Sequence, residues 1–356
     1  MKMVFRWFPN GDDSVTLSQI RQIPCMTGVA TCLPHIPVGD IWPMETLKKL
    51  KTEINSFELE MEVIESVNVH EDIKKGLPSG DRYIDNYIKT MKNLHEVGVK
   101  CICYNFMPVL DWLRSNVEME LKDKSTAMSY EHAKVLKMNP ISIGNAMSTN
   151  ARGFSLPGWE PERMEYMLED IKYYQNISVD QYLKNMKYFL DAIIPFAEEY
   201  DIDMAIHPDD PPWKLFGLPK LITEKETILN LFDLNSSKRN GLAFCIGSLG
   251  ANKNNDIVKM ASEFTSMGRV PFAHLRNVKH ITDFDFHETA HPTCCGDNDM
   301  FGVVKALHES GFDGYIRPDH GRMIWNEKGR PGYGLYDRAL GVTYLVGLWE
   351  AITKLS

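Results

Sequence analysis

The sequence predicts an α/β fold, a (β/α)8 TIM barrel with a helical insertion after the fourth strand. Eight short runs are rich in β-branched or aromatic residues and are bounded by Gly, Pro, Asn or Asp, as strands are. Stretches with apolar residues three and four apart, typical of helices, lie between them. Strands that alternate with helices form a parallel sheet, and eight of them close into a barrel. We therefore expect residues 1–356 to form a single barrel domain.

The predicted strands and helices alternate along most of the chain. The strands are expected at Met3–Phe8, Gly28–Leu33, Glu60–Val67, Lys100–Phe106, Asp203–Pro208, Gly241–Ser248, Val270–Asn277 and Gly314–His320. The clearest helical patterns cover Met44–Asn55, Tyr83–Val97, Tyr182–Tyr200, Phe301–Ser310 and Leu335–Leu355. Pro43 suits the first turn of one helix, and Gly98 and Gly311 suit the ends of two others.

One interval, from Phe106 to Asp203, is far too long for a single helix and two loops. Its first part, Leu113–Met138, is rich in Glu, Lys and Met and is expected to be helical, whereas Asn139–Pro161 has the glycines and prolines of a loop. We expect residues 107–180 to form an excursion over the mouth of the barrel, where active sites of this fold lie. The alternative is a separate small domain.

Composition excludes several classes of protein. The chain carries 39 Lys and Arg against 48 Asp and Glu, a net charge of −9, which argues against binding to nucleic acid. No apolar run reaches the length of a membrane span, and the amino terminus lacks the apolar core of a signal peptide. The 7 cysteines are an odd number without disulfide-scaffold spacing, which favours a reduced, cytoplasmic protein.

Four successive predicted strands carry metal-binding side chains at their carboxyl ends: His207, Cys245, His274 and Asp319. Each has an ordinary explanation alone, as a satisfied polar group, a small core residue or a turn residue. Together they predict a metal site at the barrel rim, because imidazole, thiolate and carboxylate are the ligands of divalent transition metals. Ligands from separate strands leave coordination positions open for substrate, and this set would suit Zn²⁺, Fe²⁺ or Mn²⁺.

Cationic side chains are expected beside this cluster. Arg276 and Arg317 each lie two residues from a predicted ligand, on the same face of their strands, and Arg6 is on the first strand. A guanidinium group matches a carboxylate, so these arginines, with Asn277, are the predicted binding residues for an anionic substrate. The alternative for Arg317 is a salt bridge that orients Asp319.

Two further segments contain polar side chains suited to catalysis. His287–His291 has the spacing of a zinc-protease motif, but Pro292 and alternating aromatic residues argue against a helix, so we reject that interpretation and expect a long polar loop. His320 follows Asp319 directly, and Tyr333 lies between two glycines in a loop that can close over the mouth. For Tyr333, the alternative is a simple connection into the last helix.

The sequence also resembles a known family, the mannonate dehydratases, over essentially the whole chain. The resemblance is carried by FRWFPNGDD, ATCLPHIPVGDIW, CYNFMPVLDW, HPDDPP, CIGSLG, HLRNV and RPDHGRM, in family order. It implies a barrel related to xylose isomerase and dehydration of D-mannonate to 2-keto-3-deoxy-D-gluconate in hexuronate (glucuronate) breakdown, with Mn²⁺ or Fe²⁺.

The resemblance also implies roles for residues. The metal ligands fall on His207, Cys245, His274 and Asp319, while His320 and Tyr333 match the positions for acid/base work, without indicating which is the base. In the segment PTCCGDND, the resemblance leaves Asp297 and Asp299 without a role.

Other functions remain possible on these residues. The same rim of ligands serves metal-dependent isomerases and epimerases of sugars or sugar acids, which the product would distinguish from a dehydratase. A structural metal protein or a sugar-acid binding module is the non-enzyme alternative, although its ligands usually come from compact Cys-rich knuckles. The expected partners are a small sugar acid and further copies of the chain, in a homodimer or a larger homo-oligomer.

Overall fold

Eight parallel strands form a closed barrel. The structure, a computed structural model, describes residues 1–138 and 166–356. The barrel strands are β1 (Lys2–Arg6), β2 (Gly28–Thr31), β3 (Glu60–Glu65), β4 (Cys101–Tyr104), β7 (Asp203–Ile206), β8 (Asn240–Cys245), β9 (Phe272–His274) and β12 (Tyr315–Arg317). They follow one another around the barrel in chain order, and β12 closes it by pairing with β1 through Lys2 and Tyr315. The predicted barrel is therefore confirmed.

Helices cover the outside of the barrel between the strands. They are α1 (Leu17–Arg21), α2 (Met44–Asn55), α3 (Glu71–Lys75), α4 (Gly80–Glu96), α5 (His132–Val135), α6 (Met167–Gln175), α7 (Val179–Glu199), α8 (Lys225–Leu234), α9 (Ile246–Leu249), α10 (Ile257–Ser266), α11 (Met300–Glu309) and α12 (Tyr336–Leu355). The apolar stripe of α2, Leu47, Leu50 and Ile54, is buried. Within the described ranges, every helix is too short or too polar to traverse a lipid bilayer.

The inside of the barrel is filled by side chains from all eight strands. Most are small: Val4, Ala30, Val63, Cys101, Cys103, Ala205 and Ala243. Phe272 and Tyr315 supply the bulk, and Phe272 lies directly beneath His274, with ring centroids 4.4 Å apart. This packing makes the barrel a solid support for the side chains at its upper rim.

A second sheet of four antiparallel strands lies beside the barrel. It contains β5 (Asn116–Glu120), β6 (Thr126–Tyr130), β10 (Asn277–His280) and β11 (Phe286–Thr289), in the order β10-β11-β6-β5. The helix expected over Leu113–Met138 is therefore wrong for most of that stretch, since α5 is its one short helix. The distant strand β11 pairs with β6, and this tertiary pairing outweighs the helical preference of Glu, Lys and Met. The predicted loop at Asn139–Pro161 lies outside the described residues.

All eight barrel strands end earlier than expected, and two of the predicted ranges also contain the start of another element. Ile246–Ser248, expected as strand, form the helical turn α9, because the chain turns immediately after Cys245. The strand expected at Val270–Asn277 leaves the barrel after His274, and Asn277 begins β10 of the second sheet. The expected polar loop at His287–His291 also begins as strand, in β11, which agrees with the rejection of a helical zinc-protease motif.

The packing of the barrel interior predicts the effect of removing its largest apolar side chain. Phe272→Ala should lower the free energy of unfolding by about 3–5 kcal/mol, because the strands around it cannot collapse into the cavity. Urea unfolding at neutral pH measures this. Phe301→Ala, on the outer face of α11 with 47% of the residue exposed, is the control and should change the value by about 0.5 kcal/mol or less. A similar small effect for Phe272→Ala would contradict the packed interior.

Candidate active site

The four predicted metal ligands lie together at the carboxyl end of the barrel. His207 follows β7, Cys245 ends β8, His274 ends β9 and Asp319 follows β12 by two residues. His207, Cys245 and His274 each have a ligand atom within 4.8 Å of the others. The Cys245 thiol lies 3.4 Å from Oδ2 of Asp319. Parallel strands thus bring residues more than 100 positions apart to one point, as the sequence predicted.

The donor atoms suit a divalent cation. The carbonyl oxygen of Pro208 accepts a hydrogen bond from Nδ1 of His207 at 2.8 Å, so Nε2 of that ring carries the lone pair. Nε2 of His274 is buried and has no hydrogen-bond partner among the described residues. Such a buried polar nitrogen is costly unless it is satisfied by a ligand or by water. Two imidazoles, one sulfur and one carboxylate therefore fit a transition metal.

Burial sets the protonation states of these ligands. Burial lowers the pKa of His207 and of His274, so both rings are neutral and can donate a lone pair at neutral pH. Burial and the neighbouring Asp319 raise the pKa of Cys245 to about 12. A metal would have to displace the proton of this thiol, which makes binding dependent on pH.

Asp319 is held in an unusual backbone conformation. Its φ of 58° lies in the left-handed region, which is uncommon for a residue other than Gly. Nε of Arg276 donates to Oδ2 at 2.7 Å, and Nη2 of Arg317 lies 2.9 Å from Oδ1. Burial opposes the charge on Asp319, but Arg317, His320 and Arg276 hold the pKa of its carboxyl well below the usual range. The carboxylate is therefore ionised and fixed in orientation.

A buried network of charges, most of it missed by the sequence analysis, surrounds Arg276. Its guanidinium group donates to Asp210 and Glu288 at 2.6 Å each, in addition to Asp319. Arg114 makes a two-pronged contact with Asp210 at 2.8 and 3.0 Å and reaches Glu288 at 2.9 Å. All of these side chains are at most 2% exposed.

The signals for these missed residues were weak. Asp210 lies in the motif HPDDPP, and Glu288 lies in the His-Glu-x-x-His pattern that was rejected as a protease motif. Arg114 carries no signal, because it belongs to the stretch that was expected to be helical. The protonation state of Glu288 is nonetheless clear. Burial opposes its charge, but His320, Arg276 and Arg114 lower its pKa to about 2, so the carboxylate is ionised at neutral pH.

His320 and Tyr333 form a hydrogen-bonded pair inside the site. Nδ1 of His320 lies 3.0 and 3.1 Å from the two carboxylate oxygens of Glu288. Because an ionised carboxylate accepts, Nδ1 carries a hydrogen, and Nε2 can accept the hydrogen bond from the Tyr333 hydroxyl at 3.0 Å. Burial raises the pKa of Tyr333 to about 12.

The loop that carries Tyr333 is packed onto the site. Tyr333 is 4% exposed, and the amide of Gly321 donates to the carbonyl of Gly332 at 2.9 Å. Thr126 of β6 exchanges backbone hydrogen bonds of 3.1 and 2.8 Å with Met323 at the start of the same loop. The glycine-flanked loop thus holds Tyr333 against His320, and the second sheet supports it.

The predicted substrate-binding residues lie in different places. Arg6 and Arg317 line the cavity, and so does Arg276, although its donors are engaged by the three carboxylates. Arg317 makes the predicted salt bridge to Asp319 and a second one to Glu65 at 2.7 Å. Arg6 donates to the carbonyls of Trp7 and Ala30 and to the thiol of Cys32.

Asn277, by contrast, is not among the residues that line the cavity. Its amide nitrogen donates to the carbonyl of Pro292 at 3.1 Å, and its Oδ1 accepts from the amide of Asn298 at 3.0 Å. This placement corrects its prediction as a substrate-binding residue: Asn277 holds the loop between β11 and α11. Asp299 caps α11, and Asp297 pairs with Lys279 at 2.6 Å, so both aspartates also have structural contacts.

The site opens into a cavity of about 740 Å³. Its polar lining includes residues of the site already described, namely Arg6, Glu65, His207, Arg317, Asp319, His320 and Tyr333. Cations, carboxylates and the hydrogen-bonded pair of His320 and Tyr333 thus face a space large enough for a small polar molecule. This arrangement suits a reaction in which negative charge develops on an acidic substrate.

The fold and the site together define a class, the parallel (β/α)8 barrels with a polar site at the carboxyl ends of their strands. A crystal structure of a xylose isomerase domain protein from Planctomyces limnophilus superposes with a TM-score of 0.56, covering 99% of this chain and 98% of that one. At 13% identity, this similarity concerns the fold alone.

More specific comparisons identify the family. The family model described as D-mannonate dehydratase matches residues 1–356. A mannonate dehydratase of Thermotoga maritima is 53% identical over 355 residues, covering 100% of this chain and 99% of its own. The crystal structure of mannonate dehydratase from Streptococcus suis serotype 2 has a TM-score of 0.89 and 41% identity, covering 100% of this chain and 94% of that one. The chain belongs to the D-mannonate dehydratase family and is a hydro-lyase. The resemblance seen in the sequence is therefore confirmed, and the alternative of an isomerase or epimerase is not favoured.

The lowered pKa of Glu288 predicts how stability depends on pH. The pKa falls from 4.5 to about 2 on folding, so this carboxylate stabilises the fold above pH 4.5, and the stabilisation is lost as the pH falls towards 2. Glu288→Gln should lower the free energy of unfolding by about 3 kcal/mol at pH 7 and by much less at pH 3.

Urea unfolding of both proteins at the two pH values measures this difference. Glu309→Gln, which changes an exposed carboxylate of α11, is the matched control and should follow the wild type at both. A loss of stability in Glu288→Gln that is equal at pH 7 and pH 3 would show that the charge of Glu288 is not what stabilises the fold.

Proposed function

We propose that the protein dehydrates D-mannonate to 2-keto-3-deoxy-D-gluconate at this cavity, with His320 and Tyr333 transferring the protons beside a divalent metal. The observation that carries this proposal is the hydrogen-bonded pair of His320 and Tyr333, in which Nε2 and the hydroxyl oxygen are 3.0 Å apart. His320 directly follows the proposed ligand Asp319 in the chain. A dehydratase needs both a base for the carbon acid and an acid for the leaving hydroxyl, and this pair supplies two groups of that kind.

The metal would be held by His207, Cys245, His274 and Asp319. We propose Mn²⁺ or Fe²⁺, as the family resemblance implies, and the mixed nitrogen, sulfur and oxygen donors are compatible with either. When bound, a divalent cation stabilises the negative charge that builds on the substrate carboxylate as the neighbouring C–H bond breaks. Arg317 and Arg6 line the same cavity and are the side chains proposed to orient that carboxylate.

The remaining chemistry is proton transfer by this chain's own residues. The proton on the carbon next to the carboxylate passes to one member of the pair, and the hydroxyl of the following carbon leaves as water with a proton from the other. The enol that remains becomes the 2-keto product by moving one proton to carbon. Because Glu288 holds Nδ1 of His320, Nε2 and the Tyr333 oxygen are the two atoms that exchange these protons.

We further propose a homo-oligomer, a homodimer or larger, working in the cytoplasm. Exposed apolar side chains of the last helix and the loop before it support assembly, since Trp325 is 68% and Leu340 47% exposed. All 7 cysteines lie in the described residues and are free thiols, as expected in a reducing compartment.

Removing the proton-transfer groups should separate chemistry from metal binding. His320→Asn and Tyr333→Phe are each expected to lower kcat by about 10²–10⁴-fold, while the metal content per chain stays at the wild-type value. Product formation is followed with D-mannonate, and metal content by elemental analysis. His308→Asn, a histidine of α11 that bonds to Thr353 away from the cavity, is the control and should keep full activity. Near-normal turnover of His320→Asn with full metal occupancy would remove its proposed role.

The proposed metal dependence is tested by stripping the protein and adding single metals. Mn²⁺ or Fe²⁺ should restore formation of a keto-deoxy acid, detected with thiobarbituric acid after periodate, and Cys245→Ser should weaken metal binding by about tenfold or more. Cys25→Ser, at an exposed thiol, is the control and should bind metal normally. Activity with none of Mn²⁺, Fe²⁺, Mg²⁺ and Zn²⁺ would contradict the proposal, and a product of unchanged mass would indicate an isomerase.

A further inference from the structure

Two adjacent cysteines lie on the surface, in a segment that the active site does not use. Cys294 and Cys295 belong to a short 3-10 helix, Thr293–Cys295, in the loop between β11 and α11. Both are exposed, and their sulfur atoms are 3.9 Å apart. Neighbouring residues of a 3-10 helix usually point in different directions, so this convergence of the two thiols is a specific feature of the turn.

The turn that carries the two thiols is held firmly in place. The amide of Cys295 donates to the carbonyl of Pro292 at 2.9 Å, and the Thr289 hydroxyl donates to the carbonyl of Cys295 at 3.2 Å. The amide of Phe301 donates to the Thr293 hydroxyl at 3.2 Å. Since the backbone is fixed, a ligand that needs both sulfurs loses little conformational entropy when it binds.

A direct bond between these sulfurs is disfavoured by geometry. Consecutive α-carbons are about 3.8 Å apart, below the separation of about 4.4–6.8 Å that disulfides prefer. A single bridging atom meets no such limit. Two bonds of about 2.3 Å, the length of a typical zinc–thiolate bond, reach across the 3.9 Å between the two sulfurs.

The other cysteines lack this combination of exposure and pairing. Cys101 and Cys103 share one face of β4 but are buried inside the barrel, and Cys32 and Cys245 are also buried. Cys25 is exposed but has no second cysteine next to it in the sequence. Burial, together with Cys294, raises the pKa of Cys295, so at neutral pH this thiol is protonated and its proton must leave when a ligand binds.

We propose that Cys294 and Cys295 form a chelating site for thiophilic ligands that accept two sulfur bonds, of which monosubstituted trivalent arsenicals are the matching class. An arsenic(III) oxide, R–As=O, reacts with the two thiols to give two As–S bonds. Its oxygen leaves as water with the two thiol protons, and no atom changes oxidation state. This site is separate from the metal ligands and rests on neither the proposed reaction nor its metal.

The test uses the folded full-length protein, in which Cys245 is buried, with phenylarsine oxide as the probe. Native mass spectrometry should show one arsenical per chain, and peptide mapping should place it on Cys294 and Cys295. An excess of a monothiol should leave the adduct in place, whereas a dithiol such as 2,3-dimercaptopropanol should remove it, because only a dithiol competes through two bonds.

Single substitutions distinguish chelation from simple thiol reactivity. Cys294→Ser and Cys295→Ser should each weaken binding by at least about tenfold, since the second bond forms at high effective concentration in the wild type. Cys25→Ser should bind like the wild type, and thermal unfolding checks that all three variants are folded. The proposal is overturned if the wild type forms no stable adduct, if a monothiol releases it, or if either serine variant retains wild-type affinity.

Discussion

The buried guanidinium group of Arg276 is the contact on which the rest of the site depends. It donates to three carboxylates at once, at 2.6 Å to Asp210, 2.6 Å to Glu288 and 2.7 Å to Asp319, and all four side chains are almost fully buried. These carboxylates follow β7, lie in β11 and follow β12, so one side chain joins the barrel to the second sheet. Removing one partner of such a group leaves uncompensated charge in the interior, at a cost of several kcal/mol. The network therefore fixes Asp210, Glu288 and Asp319 relative to one another, and with them the rim of the barrel relative to the second sheet.

Neighbouring glycines show how closely the chain is fitted around this network. A Cβ on Gly247 would lie 2.4 Å from Cγ of Arg276, and one on Gly250 would lie 2.2 Å from Oδ1 of Asn298. Real Cβ atoms do not approach neighbours this closely, so the backbone of α9 touches Arg276 because position 247 has no side chain. The glycines of the CIGSLG motif are thus explained by packing, and the motif supplies both the candidate ligand Cys245 and the space for the arginine beside it.

The sequence was sufficient to predict the barrel and to place the four candidate metal ligands at one rim, because in a parallel barrel every strand delivers its carboxyl end to the same rim. His207, Cys245 and His274 could be placed together without knowing any contact. The second sheet and the side chains it brings to the site could not be predicted, because they depend on pairing between distant strands, which local sequence patterns do not indicate. Strand β6 looks helical in composition and becomes a strand by pairing with β11, which lies more than 150 residues later. Glu288 enters the site from that second sheet, and Arg114 from the segment just before its strand β5. Asn277, adjacent to Arg276, turns to the loop because the chain leaves the barrel after His274.

The architecture also divides the chemistry between two scaffolds. The barrel supplies the candidate metal ligands, and Glu288 of the second sheet orients His320, the residue proposed for proton transfer. Arg276 forms one ion pair with Glu288 and another with Asp319. A displacement of either carboxylate therefore changes the electrostatic potential at the other. Four carboxylates, Glu65, Asp210, Glu288 and Asp319, form ion pairs with Arg114, Arg276 and Arg317, and Arg6 lies near Glu65, so cations and carboxylates are equal in number. The same network therefore keeps the Asp319 carboxylate ionised and oriented beside the other candidate ligands, and holds Glu288 against Nδ1 of His320, so the proposed metal site and the proposed proton-transfer pair depend on one set of buried ion pairs.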